Sequence, residues 1–301
     1  MKIAPTRIIG VGVLVAAVAL WAATALRPTD QAPLRMGFQV CNSPAENRRR
    51  FTPLVAYLER ELGRKIEAVH LDTSEFLDPA HQHYDLYHVN SLIYVNLKAA
   101  GAAEVVAGEL QGEGGPNTRG LIIARKDSGI RTVQDLKGKR LIFGPMLSPG
   151  GYLTQYYAMM KAGLDPERDL GIYSFPPGAW KHEKVVYAVQ YGAADAGAAR
   201  YDDLDIMAKD FKIDPKDFVV LHTSPWVPWC TVAVSPKLPS DLRNRFEKAL
   251  LRLKPGVTAA VGNERLDVLR WGEINGFAAA READYDLVRE MAREVRLPPY
   301  E

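Results

Sequence analysis

From Met36 onward, apolar residues recur in two alternating registers. Residues 35–40 alternate as a strand does. Over 45–62, Phe51, Leu54, Val55, Leu58 and Leu62 fall at spacings of three and four, marking one helical face that Gly63 closes. The pattern then predicts strands over 65–69 and 84–87, a helix over 91–100 stopped by Gly101, and a strand over 104–107. Past a glycine-rich loop at 108–117, the apolar run 119–125 suits a buried strand. A second series follows: a short helix at 132–136, strands at 140–143 and 170–174, helices at 152–162 and 185–191, and a strand of small residues at 194–198. The last third predicts a strand at 231–234 and helices at 240–253 and 284–294. Such alternation implies an α/β protein with parallel sheets. No fixed-period repeat interrupts it.

The N-terminus departs from this pattern. Lys2 and Arg7 precede an uncharged run over 8–26, which Arg27 and Pro28 close. Nineteen residues exceed the usual signal-peptide core and just suffice for a membrane-spanning helix. Length therefore favours a retained anchor over a cleaved signal, for which 23–25 (Ala-Thr-Ala) would be the cutting site. Either way the basic flank stays in the cytoplasm and the rest is exported. Residues 28–35 read as a linker.

At 301 residues, two lobes are expected. The formal net charge is only +2, and without residues 1–35 the body is nearly neutral, which argues against nucleic-acid binding. No cofactor motif stands out, so no cofactor is expected. His81, His83 and His88 share one segment, but no cysteine or acidic pattern completes a metal set.

Several phrases, in order, resemble the periplasmic substrate-binding proteins of phosphate, phosphite and phosphonate ABC importers: FTPLVAYLERELG at 51–63, YDLY at 84–87, LIIARKDSGI at 121–130, VQDLKGKR at 133–140, GGY at 150–152, HEKVVYAV at 182–189, ADAGA at 194–198 and SPWVP at 224–228. The resemblance implies a type II periplasmic-binding-protein fold, with two α/β lobes joined by two crossing strands and a ligand cleft between them. Lobe 1 would be 36–123 plus 229–301 and lobe 2 would be 124–228, with hinge strands at 121–125 and 227–234. It implies no enzyme, but an extracytoplasmic receptor that closes on a small oxyanion. Its partners would be an ABC permease or a sensor kinase, and the N-terminal segment would tether it to the inner membrane.

The family's anion-binding turn matches 146–152, implying Ser148, Gly150, Gly151 and Tyr152 as ligand contacts. The physics agrees, since a glycine-rich turn opening a helix presents backbone N–H groups. Only Ser148 remains of the family's usual hydroxyls, so phosphonate fits this turn less well. His182 matches a family histidine, and Asp202 falls where the family often carries a carboxylate for an amino group. Asn42, Tyr87, His88, Asn90, Ser91 and Trp229 complete the implied contacts. Cys41 and Cys230, the two cysteines of the chain, both fall on the implied cleft. They suggest a disulfide or a paired thiol site, and soft thiolates select soft species such as arsenite-like metalloids. A metalloid-sensing binding protein is therefore an alternative. An exported thiol enzyme, with Cys230 as nucleophile and His182 or His222 as base, is a further one.

Overall fold

A computed structural model of the chain describes residues 32–41, 43–176 and 182–300. The apolar leader and Asn42 lie outside these residues. No helix among the described residues is long and apolar enough to cross a membrane.

The chain builds two α/β lobes, each around its own sheet. In lobe 1 the six strands run in the order Gly276–Ala279, Glu104–Leu110, Cys230–Val234, Leu86–Asn90, Leu34–Gln39, Ile66–Leu71. In lobe 2 the order is Phe218–Thr223, Gly120–Arg125, Ala196–Arg200, Arg140–Ile142, Ile172–Ser174. Neither sheet is purely parallel, contrary to the alternation argument. The last three strands of lobe 1 run parallel, but Cys230–Val234 is antiparallel to both its neighbours. In lobe 2, Gly120–Arg125 is antiparallel to both of its neighbours. The reason is topological: a strand entering a lobe from the crossing starts at the edge where the parallel strands end.

The crossing itself is the antiparallel pair Asn117–Thr118 with Val227–Pro228. The segment 121–125 therefore lies wholly within the lobe 2 sheet, and the first hinge strand precedes it. Just beyond the crossing, Gly120 N–H donates to Ser224 Oγ at 2.8 Å and the Ser224 N–H returns to the Gly120 carbonyl at 2.9 Å.

The helix Pro44–Leu62 matches its predicted span. Ser43 caps it by accepting the Glu46 N–H, and Gly63 ends it in the left-handed region, at φ 62°. Its inner face buries Phe51, Leu54, Leu58 and Leu62 in the lobe 1 core. Each such burial is worth at most about 1.5–3 kcal/mol. The predicted helix over 152–162 is shorter than expected. A wide π turn at Pro149–Leu153 precedes an α-helix at Thr154–Lys161, with Leu153 N–H reaching back to the Ser148 carbonyl at 3.0 Å. Pro149, Gly150 and Gly151 hold weak helix propensity, which leaves the packing around them to set this turn.

A separate hydrophobic core continues across both lobes. It joins Tyr87, Leu92 and Tyr94 of lobe 1 to Leu141, Phe143 and Met159 of lobe 2, with Met291 of the C-terminal helix in the same cluster.

Candidate functional site

The parallel strands of lobe 1 end, and Cys230–Val234 begins, at the same edge. That topology brings Cys41, one residue past Val40, towards Cys230, which stands in register with Asn90. A cavity of about 700 Å³ lies there between the lobes. Gln39, Cys41, His88, Asn90, Glu109, Trp229 and Cys230 line it from lobe 1, and Ser148, His182, Arg200, Asp202 and Asp203 from lobe 2.

Asn90 holds three roles. Its Oδ1 accepts the Ile93 N–H as cap of the helix Ser91–Ala99, and its own N–H donates to Gln39 Oε1 at 2.6 Å. Its Nδ2 donates across the cleft to the carbonyl of Leu147, at 3.1 Å. Leu147 is held at φ 61°, a left-handed conformation that costs a non-glycine residue about 1–3 kcal/mol.

The walls are rich in paired charge. His88 Nε2 and Glu109 Oε2 lie 2.6 Å apart, both side chains 2% exposed, and Glu109 Oε1 also accepts from Gln111. Arg200 donates through Nε to Asp202 at 2.6 Å, and its backbone N–H donates to Asp203 at 2.6 Å. Its guanidinium lies over the Trp229 ring, 5.3 Å from the centroid. Burial alone would lower the pKa of the guanidinium, but Asp203 and Asp202 outweigh it and leave Arg200 raised. Burial pushes Asp202 up and Asp203 up to about 6, with Arg200 opposing in both. Burial, then Arg200, pushes His182 down to about 3, so its ring is neutral at pH 7.

The two cysteines are not joined in a disulfide, and their environments are unequal. Cys230 is buried, whereas Cys41 is partly exposed and its Sγ lies 3.8 Å from the Gln39 carbonyl. Hydrogen bonding from the Cys230 thiol lowers Cys41, helped by His88 and Arg50, while Cys230 is raised by that bond and by burial. Two ring nitrogens at this site, Trp229 Nε1 and His182 Nδ1, are buried with no hydrogen-bond partner among the described residues. The nearest carboxylate oxygen to His182 Nδ1 belongs to Asp203, at 3.4 Å and outside bonding geometry.

Of the residues expected to meet ligand, Cys41, His88, Asn90, Ser148, His182, Asp202, Trp229 and Cys230 share this cavity. Asn42 lies outside the described residues, and Tyr87, Ser91, Gly150, Gly151 and Tyr152 do not line it. Tyr87 points to the opposite face of its strand from His88, and its hydroxyl donates to the Gln82 carbonyl at 2.7 Å. Ser91 is fully buried in the first turn of its helix. Gly150 and Gly151 lie under the cavity as packing surfaces: a Cβ on Gly150 would sit 2.7 Å from Thr118 Oγ1, and one on Gly151 2.5 Å from His182 Cε1. Tyr152 joins an aromatic cluster with Phe143, 4.9 Å between centroids. His222 lies on the edge strand of lobe 2, off the cavity wall, and the thiol beside Cys230 is that of Cys41.

Arg200, Glu109, Gln39 and Asp203 were not anticipated. A charged residue two positions past the small-residue strand at 194–198 was the available signal for Arg200. Glu109 was hidden because the strand runs on to Leu110, three residues past its expected end.

Two lobes closing a polar cavity between their sheets define a solute-binding protein. A family profile described as "ABC transporter, phosphonate, periplasmic substrate-binding protein" matches residues 36–285, and the chain belongs to that family. Two solved structures share the fold. One is the binding protein component of an ABC phosphonate transporter from Pseudomonas aeruginosa, at TM-score 0.67 and 18% identity, covering 89% of this chain and 87% of that one. The other is PhnD1 from Prochlorococcus marinus in complex with methylphosphonate, at TM-score 0.65 and 17% identity, covering 87% and 98%. The tetrathionate sensor histidine kinase TtrS of Salmonella typhimurium is 33% identical over 142 residues, 43% of this chain and 23% of that protein. The chain thus matches about a quarter of that relative's length. Membership of this family makes the protein an extracytoplasmic protein of the substrate-binding class.

Proposed function

We propose that the cleft binds a small sulfur oxyanion and that closure on it is read by a sensor kinase at the membrane. The observation that carries this reading is the pair of unpartnered ring nitrogens, Trp229 Nε1 and His182 Nδ1, at a wall that also holds the Ser148 hydroxyl, which makes no capping bond. A buried donor left unmade costs about 1–3 kcal/mol, and a bound oxyanion would recover it. The carboxylates favour sulfur over phosphorus. Glu109, Asp202 and Asp203 are each engaged by protein donors. A phosphate or phosphonate that keeps a proton needs an acceptor, whereas a fully ionised sulfur oxyanion needs none. Asp202, held by Arg200, also leaves little for a ligand amino group. The likeness to a tetrathionate sensor points to the same class of ligand and to the kinase rather than a permease. The apolar segment at 8–26 would hold the receptor beside that partner.

The test is a thermal-shift and calorimetric series with sulfate, thiosulfate, tetrathionate, phosphate and methylphosphonate. Ligand at 100 times its dissociation constant adds about 2.7 kcal/mol to stability. Saturable binding of a sulfur oxyanion at one site per chain, with methylphosphonate weaker, is expected; tighter methylphosphonate binding would make this a phosphonate receptor.

The contact between Cys41 and Cys230 favours a second reading, a trivalent metalloid held by both thiols. In that case arsenite would stabilise the reduced protein, and Cys41→Ser would abolish the effect.

A further inference from the structure

The placement of the two thiols carries a reading of its own. Both thiols stand on the cavity wall, Cys41 with partial exposure and Cys230 buried. Gln39 ties them into one frame: its carbonyl contacts Cys41 Sγ, and its amide oxygen accepts the N–H of Asn90, the residue in register with Cys230. Two cationic or polar groups flank the pair, since Arg50 and His88 line the same wall. The more exposed thiol, Cys41, is thus the one more open to a ligand in the cavity, with the buried Cys230 thiol beside it.

We infer that Cys41 and Cys230 form an attacking and resolving thiol pair that reacts once with a sulfur–sulfur-bonded anion, a polythionate, held in the cleft. This rests on the sulfur-oxyanion reading above and deepens it. In the first step the Cys41 thiolate, its proton released to solvent, attacks a central divalent sulfur of tetrathionate. A Cys41 S–S bond forms, the central S–S bond breaks, and its electron pair leaves with thiosulfate; the protein carries an –S–SO₃⁻ group on Cys41. In the second step the Cys230 thiolate attacks the Cys41 sulfur, expelling a second thiosulfate and closing a Cys41–Cys230 disulfide. Both cysteines are oxidised by one electron each, the S–S bond of the anion is reduced by two, and two protons are released. The unequal thiols set the order. The bond from Cys230 and the nearby Arg50 and His88 favour thiolate at Cys41, while burial holds Cys230 protonated until the first step removes its partner.

Such chemistry converts binding into a covalent state of the cleft. The receptor would then report an oxidising sulfur anion and ignore thiosulfate, which has no electrophilic divalent sulfur to offer.

The experiment mixes the reduced, full-length protein with one equivalent of tetrathionate and follows thiosulfate release, free thiols and intact mass. Expected are two thiosulfates per chain, loss of both thiols and a mass lower by two hydrogens. Cys230→Ser should stop at one thiosulfate with an S–SO₃ adduct on Cys41, and Cys41→Ser should release almost none. A rate no faster than that of free glutathione at the same pH, or a wild-type adduct that never resolves, overturns the inference. The double variant Cys41→Ser/Cys230→Ser separates the two readings. If it still shows a tetrathionate thermal shift while the wild type keeps its thiols, the chemistry is wrong and the binding right. If neither protein responds to any sulfur oxyanion, both fail.

Discussion

Acid acts in opposite directions on two enclosed groups of the lobe 2 wall. Burial raises Asp203 from 3.8 to about 6 against the pull of Arg200. At about 1.4 kcal/mol for each tenfold change in proton affinity, the ionised carboxylate is destabilising by roughly 3 kcal/mol in the folded chain. Stability linked to Asp203 is therefore full below pH 3.8 and is lost as the pH rises through about 6. His182 runs the other way. Its fall from 6.5 to about 3 means that stability is full above pH 6.5 and is lost as the pH drops towards 3. Between pH 7.5 and about 4.5, linkage gives a gain of about 2 kcal/mol from Asp203 and a loss of about 2.7 kcal/mol from His182, so the two nearly cancel. Asp203→Asn removes the first titration and keeps an oxygen for the Arg200 N–H. Urea unfolding of both proteins across this range, compared pH by pH, cancels contributions from groups elsewhere. The variant should be more stable by about 2–3 kcal/mol near pH 7.5 and should converge on the wild type near pH 4. A difference that stays flat with pH, or a wild type more stable near neutrality, refutes burial as the cause.

Three further substitutions probe the same region. Trp229→Phe keeps the ring beneath Arg200 but deletes the unpartnered Nε1 donor; sulfur-oxyanion affinity by calorimetry should fall roughly 10- to 150-fold, with unliganded stability unchanged or higher. Gln155 is fully buried and its Nε2 reaches the carbonyls of Gly150 and Ala199 at 2.8 and 2.9 Å. Gln155→Leu should lower unfolding free energy by about 2–4 kcal/mol in urea titrations, with loss below 1 kcal/mol refuting its role as a tie. Gly151→Ala places a methyl against His182, so it should destabilise by about 1–3 kcal/mol and weaken anion binding together. A variant that binds as tightly as the wild type would remove His182 from the ligand's contacts.

The predicted elements were legible where spacing and stop signals agreed. The helix Pro44–Leu62 has both an apolar face and a capping pair, Ser43 and Gly63, written into its sequence. The parallel-sheet expectation failed because alternation carries no information on where a returning strand enters. The resemblance puts a hinge strand at 121–125, whose apolar composition marks a buried strand and hides which lobe buries it. The cysteines were found because they are rare. Gly150 and Gly151 were read as anion donors, yet their lack of a side chain serves close packing against Thr118 and His182. Arg200 and Glu109 depend on partners many residues distant, Gln111 and His88, which no local pattern announces.

The core that runs from Tyr87 through Phe143 to Met291 gives the two lobes one shared interior. Ligand specificity in this scaffold is therefore not a module. A biosensor made by grafting lobe 2 of a relative onto lobe 1 of this protein would inherit a mismatched seam along the hinge. Reprogramming is better directed at the side chains of the cavity wall, which the shared interior supports without containing.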